Sequence, residues 1–162
     1  MKIDNKEYNS ILLNNPLYID INLHRAKIYN RQLKHDLALK ELKILRKVAE
    51  IKRDKHHSSS VLASVFEEEA QIELCNGETD EFEDKILDAI TIRQTEMGQY
   101  NILNAIAYSN LFKFMLNLDD METAMKYHFK ATEIFSRFPS DHPNFWVIHL
   151  SNALIYFKNE ET

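Results

Sequence analysis

Tyr108-Ser109-Asn110-Leu111-Phe112 recurs 42 residues later as Leu150-Ser151-Asn152-Ala153-Leu154. Similar stretches at a fixed interval mark a structural repeat. Working outward from them, Ala26, Ala70, Phe112 and Leu154 fall at matching positions, 44, 42 and 42 residues apart. Around each, apolar residues recur at helical spacing. A period of this length holds two helices and their turns. Short turns make successive helices antiparallel neighbours, and stacked pairs bury a continuous core.

The breaks between helices are legible too. Pro16 after Asn14-Asn15 reads as a cap followed by a first-turn proline. Leu17, Ile21, Leu23, Ala26, Ile28, Tyr29 and Leu33 then set an apolar helix, broken at Lys34-His35-Asp36. Leu37, Leu39, Leu42, Leu45, Val48 and Ile51 make the second helix. His56-His57-Ser58-Ser59-Ser60 is a loop whose serines suit a cap. The third helix carries Val61 to Leu74 and ends at Asn76-Gly77. The fourth carries Phe82, Ile86, Ala89, Ile90 and Met97 up to Gly98. The fifth, Ile102 to Leu116, is apolar on nearly every side, and Asn117-Leu118-Asp119-Asp120 is a tight turn into the sixth. Pro139 and Pro143 bracket a loop before the seventh, which holds Trp146, Leu150, Ala153, Leu154 and Phe157.

Composition agrees. Among 162 residues there are 2 Gly and 3 Pro, too few for the many tight turns of a sandwich, barrel or doubly wound sheet. The net charge of −5 argues against nucleic acid as the main ligand. One cysteine, Cys75, forms no internal disulfide and fits a reducing, cytoplasmic setting. No apolar run approaches the ~20 residues of a membrane span.

Asp119 to Ile134 resembles the second helix of a tetratricopeptide repeat, with Ala124 and Ala131 at the two small positions where helix backbones approach closely. Asp141-His142-Pro143 resembles the loop of the longer, kinesin-light-chain type of repeat. Residues 16–157 are thus similar to a tetratricopeptide domain, between an N-terminal segment at 1–15 and a polar tail at 158–162. The resemblance implies an all-α, right-handed α-α superhelix of about seven helices, in three pairs plus a terminal helix. It departs in the second pair, where Lys85 stands at a small-residue position and the turn from Asn76 to Glu81 is long.

The resemblance also implies a concave surface lined by the first helix of each pair, where Asn and Arg hold an extended peptide. An Asn amide offers both a donor and an acceptor, so it clamps a peptide unit whatever its side chain. The residues so placed are Asn22, Arg25, Tyr108, Asn110, Lys113, His149 and Asn152. A second contact surface is expected on the unfinished last repeat, at Trp146, Ile148, Ile155 and Tyr156, against another copy or further chain.

Catalytic and cofactor patterns are missing. No His-Glu-x-x-His, Gly-x-Ser-x-Gly or phosphate-binding glycine loop occurs. Cys75 lies near Glu73 and Glu78, which would oppose thiolate formation. His56-His57 reads as a solvated turn, and His128 as a hydrogen-bonded core residue. The basic stretch Lys40, Lys43, Arg46, Lys47, Lys52, Arg53, Lys55 is interrupted by Glu41, Glu50 and Asp54, and reads as a solvated face laced by intrahelical pairs. The expectation is a non-catalytic protein- or peptide-binding adaptor without cofactor, metal or membrane. The alternative is a peptide-sensing domain resembling the repeat half of Gram-positive peptide-pheromone receptors, and an enzyme comes last.

Overall fold

The structure, a computed structural model, describes residues 15–52 and 58–160. These are all-helical, with no strand among them: α1 Pro16–Arg31, α2 His35–Lys52, α3 Ser58–Cys75, α4 Phe82–Met97, α5 Ile102–Asn117, α6 Met121–Phe135, a short 3-10 helix Pro143–Phe145, and α7 Trp146–Glu160. They form a helical repeat. Contacts divide the chain into one compact unit up to Ile92 and a second from Arg93. The His56-His57 loop lies outside the described residues, and the expected tail at 158–162 is helical as far as Glu160.

The repeat is written most plainly where the first helix of each pair ends. Leu33 follows α1 at φ 57°, Gly77 follows α3 at φ 82°, and Asp119 follows α5 at φ 59°. Their spacings, 44 and 42, are those that separate Ala26, Ala70 and Phe112. Each turn is closed by the same bonds. Leu33, Gly77 and Asp119 N–H donate to the carbonyls of Asn30, Leu74 and Leu116, at 2.9, 3.1 and 3.2 Å. The next residues, Lys34, Glu78 and Asp120, donate to Tyr29, Glu73 and Met115, at 2.9, 2.8 and 3.0 Å. This left-handed cap satisfies orphan carbonyls at a helix end. It also sends the chain back antiparallel.

The helix starts repeat as well. Asn15 Oδ1 accepts from Leu17 N–H at 3.0 Å, and Asn101 Oδ1 from Leu103 N–H at 2.8 Å. α2 begins two residues earlier than expected of the polar break, because the cap needs only Gln32, Leu33 and Lys34; His35 and Asp36 are already helical.

In the first unit, Ile19 and Ala26 of α1, Ala38, Leu42, Leu45 and Val48 of α2, and Val65 and Ile72 of α3 make one buried cluster. The expected phase of α1 is corrected here. Leu17, Ile21, Ile28 and Leu33 are exposed, and the buried line is Ile19, Asn22 and Ala26. At about 100° per residue, Leu17, Ile21 and Ile28 lie half a turn round from Ile19 and Ala26, so apolar residues occupy both faces and spacing alone does not choose. Lys85, the misfit of the second pair, is explained by an ion pair. Its Nζ reaches both oxygens of Glu73 on α3, and Glu81 at 3.0 Å. Burial lowers its pKa, but these bonds outweigh burial and raise it. Cys75, read as an unactivated cysteine at a helix end, is exposed at the end of α3.

In the second unit, α5 buries ten of its residues. Ala124 and Ala131 of α6 are fully buried, as the small positions require, and let α6 lie close. Phe135 meets Phe145 with ring centroids 5.4 Å apart. His128 is buried but not hydrogen-bonded as expected. Its Nδ1 has no partner, and its ring sits 5.5 Å from Phe112 and 6.2 Å from Phe129.

Candidate functional site

The surface with the most usable chemistry lies on the second unit. α5 and α6 place Tyr108 and Tyr127 in a stack, centroids 6.0 Å apart. Lys130 Nζ stands 5.2 Å from the Tyr108 ring and 5.6 Å from the Tyr127 ring. The Tyr127 to Lys130 spacing puts both on one side of α6. Burial raises the pKa of Tyr108, and a hydrogen bond with Gln94 partly offsets this. Tyr108 is itself buried, so of the expected contact residues it serves as a packed platform rather than an open clamp.

One turn along α5, Lys113 Nζ stands 6.0 Å from the Trp146 ring of α7. Burial pushes its ammonium below the ordinary lysine range, and no described carboxylate pairs with it. Trp146 is 58% exposed. A cation over an indole face, without a counter-ion, keeps an electrostatic demand that an anionic group could satisfy. Asn110, half-buried, precedes Lys113 by three residues on α5. Asn152 and His149 are exposed on α7.

The repeated serine has the same role in both stretches quoted at the outset. Ser109 Oγ donates to the Ala105 carbonyl at 2.9 Å, and Ser151 Oγ to the Val147 carbonyl at 3.0 Å, both buried. Turning the serine inward in this way leaves the asparagine beside it nearer the surface.

The first unit treats its two expected contact residues differently. Asn22 is buried, and its amide is used internally. Its Nδ2 donates to the Tyr18 carbonyl at 2.6 Å, and its Oδ1 accepts from Arg25 at 2.9 Å. It is therefore not offered to a partner, a correction that follows from the phase of α1. Arg25 remains half-exposed but is bound to Glu41 of α2 at 2.6 Å, and this bond raises its pKa.

On α7, two of the four residues expected at a contact surface, Trp146 and Tyr156, are exposed. Tyr156 is 70% exposed, and Phe157 and Leu150 are exposed beside Trp146. Ile148 is corrected: it is buried with Val147 inside the unit, and Ile155 is half-buried. A cavity of about 340 Å³ lies between the end of α5 and α7, lined by Leu116, Asn117, Asp119, Leu154, Phe157 and Lys158. Lys158 and Asp119 pair across it at 2.5 Å and hold the Asp119 carboxyl below its usual range.

Sequence reading missed Tyr127, Lys130 and Gln94. The Tyr127-x-x-Lys130 spacing was the available signal, but a tyrosine and lysine on one helix side are common. Among the described residues, no three His, Cys, Asp or Glu side chains group as metal ligands, and no helix is long and apolar enough to cross a membrane. No known family's model matches the chain, and no curated protein matches it.

Proposed function

We propose that this chain is a tetratricopeptide-like repeat that binds a protein or an extended peptide, and that the second unit carries the contact. The observation behind this reading is Lys113. A half-buried ammonium without a described carboxylate partner has its desolvation uncompensated, and a carboxylate on a partner would offset it. Exposed Trp146 beside it supplies apolar area at low entropic cost, as interface anchors do. Asn110 and Asn152 offer amides to a peptide backbone. Exposed Leu150, Tyr156 and Phe157 extend the apolar surface along α7.

Trp146 is the sole tryptophan, so it reports directly. Extended peptides carrying acidic residues are titrated while its emission is followed. Binding should shift the emission, and Lys113→Ala should weaken the affinity roughly tenfold while leaving the melting curve unchanged. Doubly substituted N110A/N152A should weaken it further. If acidic and neutral peptides bind equally and Lys113→Ala has no effect, the reading is wrong.

A further inference from the structure

Among the described residues, the basic stretch of α2 is not neutralised by intrahelical pairs as its sequence suggests; Arg53, Asp54 and Lys55 lie outside them. Glu41 turns inward to Arg25 of α1 at 2.6 Å. Arg46 turns to Glu69 of α3 and lies over the Phe66 ring at 4.8 Å. Lys40, Lys43 and Lys47 are left on the outer face, exposed and without a partner among the described residues. Spacings of three and four put them side by side, where like charges repel. Leu37 and Ile44 stand at the edge of that face, 45% and 37% exposed, and Asp36 and Glu50 are the acids that the helical spacing puts at its two ends. It is a cationic face with an apolar edge.

The same unit carries the opposite pattern at the start of α4. Glu78, Asp80, Asp84 and Asp88 are exposed and have no partner among the described residues. The nearby cation, Lys85, is held by Glu73 and Glu81. Asp84 and Asp88, four residues apart, repel one another on an open helix face, as the lysines do on α2.

We propose that two copies of this chain pair through these faces, the Lys40-Lys43-Lys47 side of α2 against the Asp84-Asp88 side of α4. Charge complementarity selects a second copy. Each surface lacks what the other has in excess, and both belong to the same compact unit. In a two-fold pairing each contact forms twice, because the same patch is presented by both subunits. Leu37 and Ile44 then lose exposed area at the edge of the contact. This interface goes beyond the peptide-binding reading and does not depend on Lys113 or Trp146.

The test is sedimentation equilibrium of the full chain. At about 50 mM salt the chain should dimerise, and at about 1 M salt the dimer should weaken strongly. K40E/K43E/K47E and, separately, D84K/D88K should each weaken association roughly tenfold or more, and an equimolar mixture of the two should restore it. If charge reversal unfolds the chain, K40Q/K43Q/K47Q gives the same comparison without added repulsion. A wild-type monomer at low salt, or a dimer indifferent to both swaps, overturns the proposal. So does a mixture that fails to restore pairing. Binding to phosphatidylserine vesicles that K40Q/K43Q/K47Q abolishes, from a chain that stays monomeric, would assign the α2 face to lipid instead.

Discussion

Leu33 is the residue whose replacement tests the repeat most directly. It occupies the position that Gly77 fills in the next pair, with the same left-handed backbone and the same two closing bonds. A side chain at φ 57° costs about 1–2 kcal/mol in backbone strain. Leu33→Gly removes that strain. It also lets the unfolded chain sample more conformations, which offsets about 0.5–1 kcal/mol. Little packing is lost, because Leu33 is 75% exposed. The net gain should be about 0.5–1 kcal/mol, which raises the melting midpoint of a chain this size by about 1–4 °C. The mirror experiment is Gly77→Ala. A Cβ there meets nothing within 4 Å, so only the φ of 82° opposes it, and the cost should be about 1 kcal/mol. Both are read by circular dichroism during heating and during urea titration. A midpoint that falls for Leu33→Gly, or stays put for Gly77→Ala, would refute the idea that the two turns are one motif.

Three further outcomes follow from the core of the second unit. Burial lowers the pKa of His128, so the folded state disfavours its charged form. Stability should therefore be unaffected by this group above about pH 6.5 and decline as pH falls below that value. Urea titrations from pH 7.5 to 5 should show the decline, and His128→Gln should remove it. Ala131 is fully buried where α6 lies against its neighbours, so Ala131→Leu should cost about 1–3 kcal/mol in a thermal melt. Asn104 is fully buried with neither amide atom hydrogen-bonded, so Asn104→Leu should be neutral or stabilising, where an essential polar contact would make it destabilising by more than about 1 kcal/mol.

Much of the candidate site was legible, and its failures have one cause. Lys113, Asn110, Asn152 and Trp146 were placed by the phase of α5 and α7 relative to Phe112 and Leu154. Both helices have a distinct surface side. Asn22 was misplaced because α1 has apolar residues on two faces, and a polar residue took the buried one. There the amide bonds its own helix backbone and Arg25, a satisfaction that spacing does not encode. Ile148 was misplaced for a similar reason. On an apolar helix, hydrophobicity cannot say which side meets the core.

The sequence by itself determined the helices, their ends and the repeat interval. These rest on local chemistry: Asn15 and Asn101 as caps, Pro16 at a first turn, Gly77 at a left-handed turn, and scarcity of glycine elsewhere. Local chemistry acts over a few residues, so it is written in a few residues. Tertiary structure alone decided that Leu33 and Asp119 take the turn geometry that glycine takes between them. Leu33 and Asp119 are themselves exposed, so it is the packing of the helices on either side, with the closing backbone bonds, that holds them there. It likewise decided that Glu41 and Glu69 face α1 and α2 respectively, taking Arg25 and Arg46 out of play and leaving three lysines of α2 without a partner among the described residues. Charges on one helix are balanced by whichever neighbour packs against it, and that neighbour is chosen by the fold.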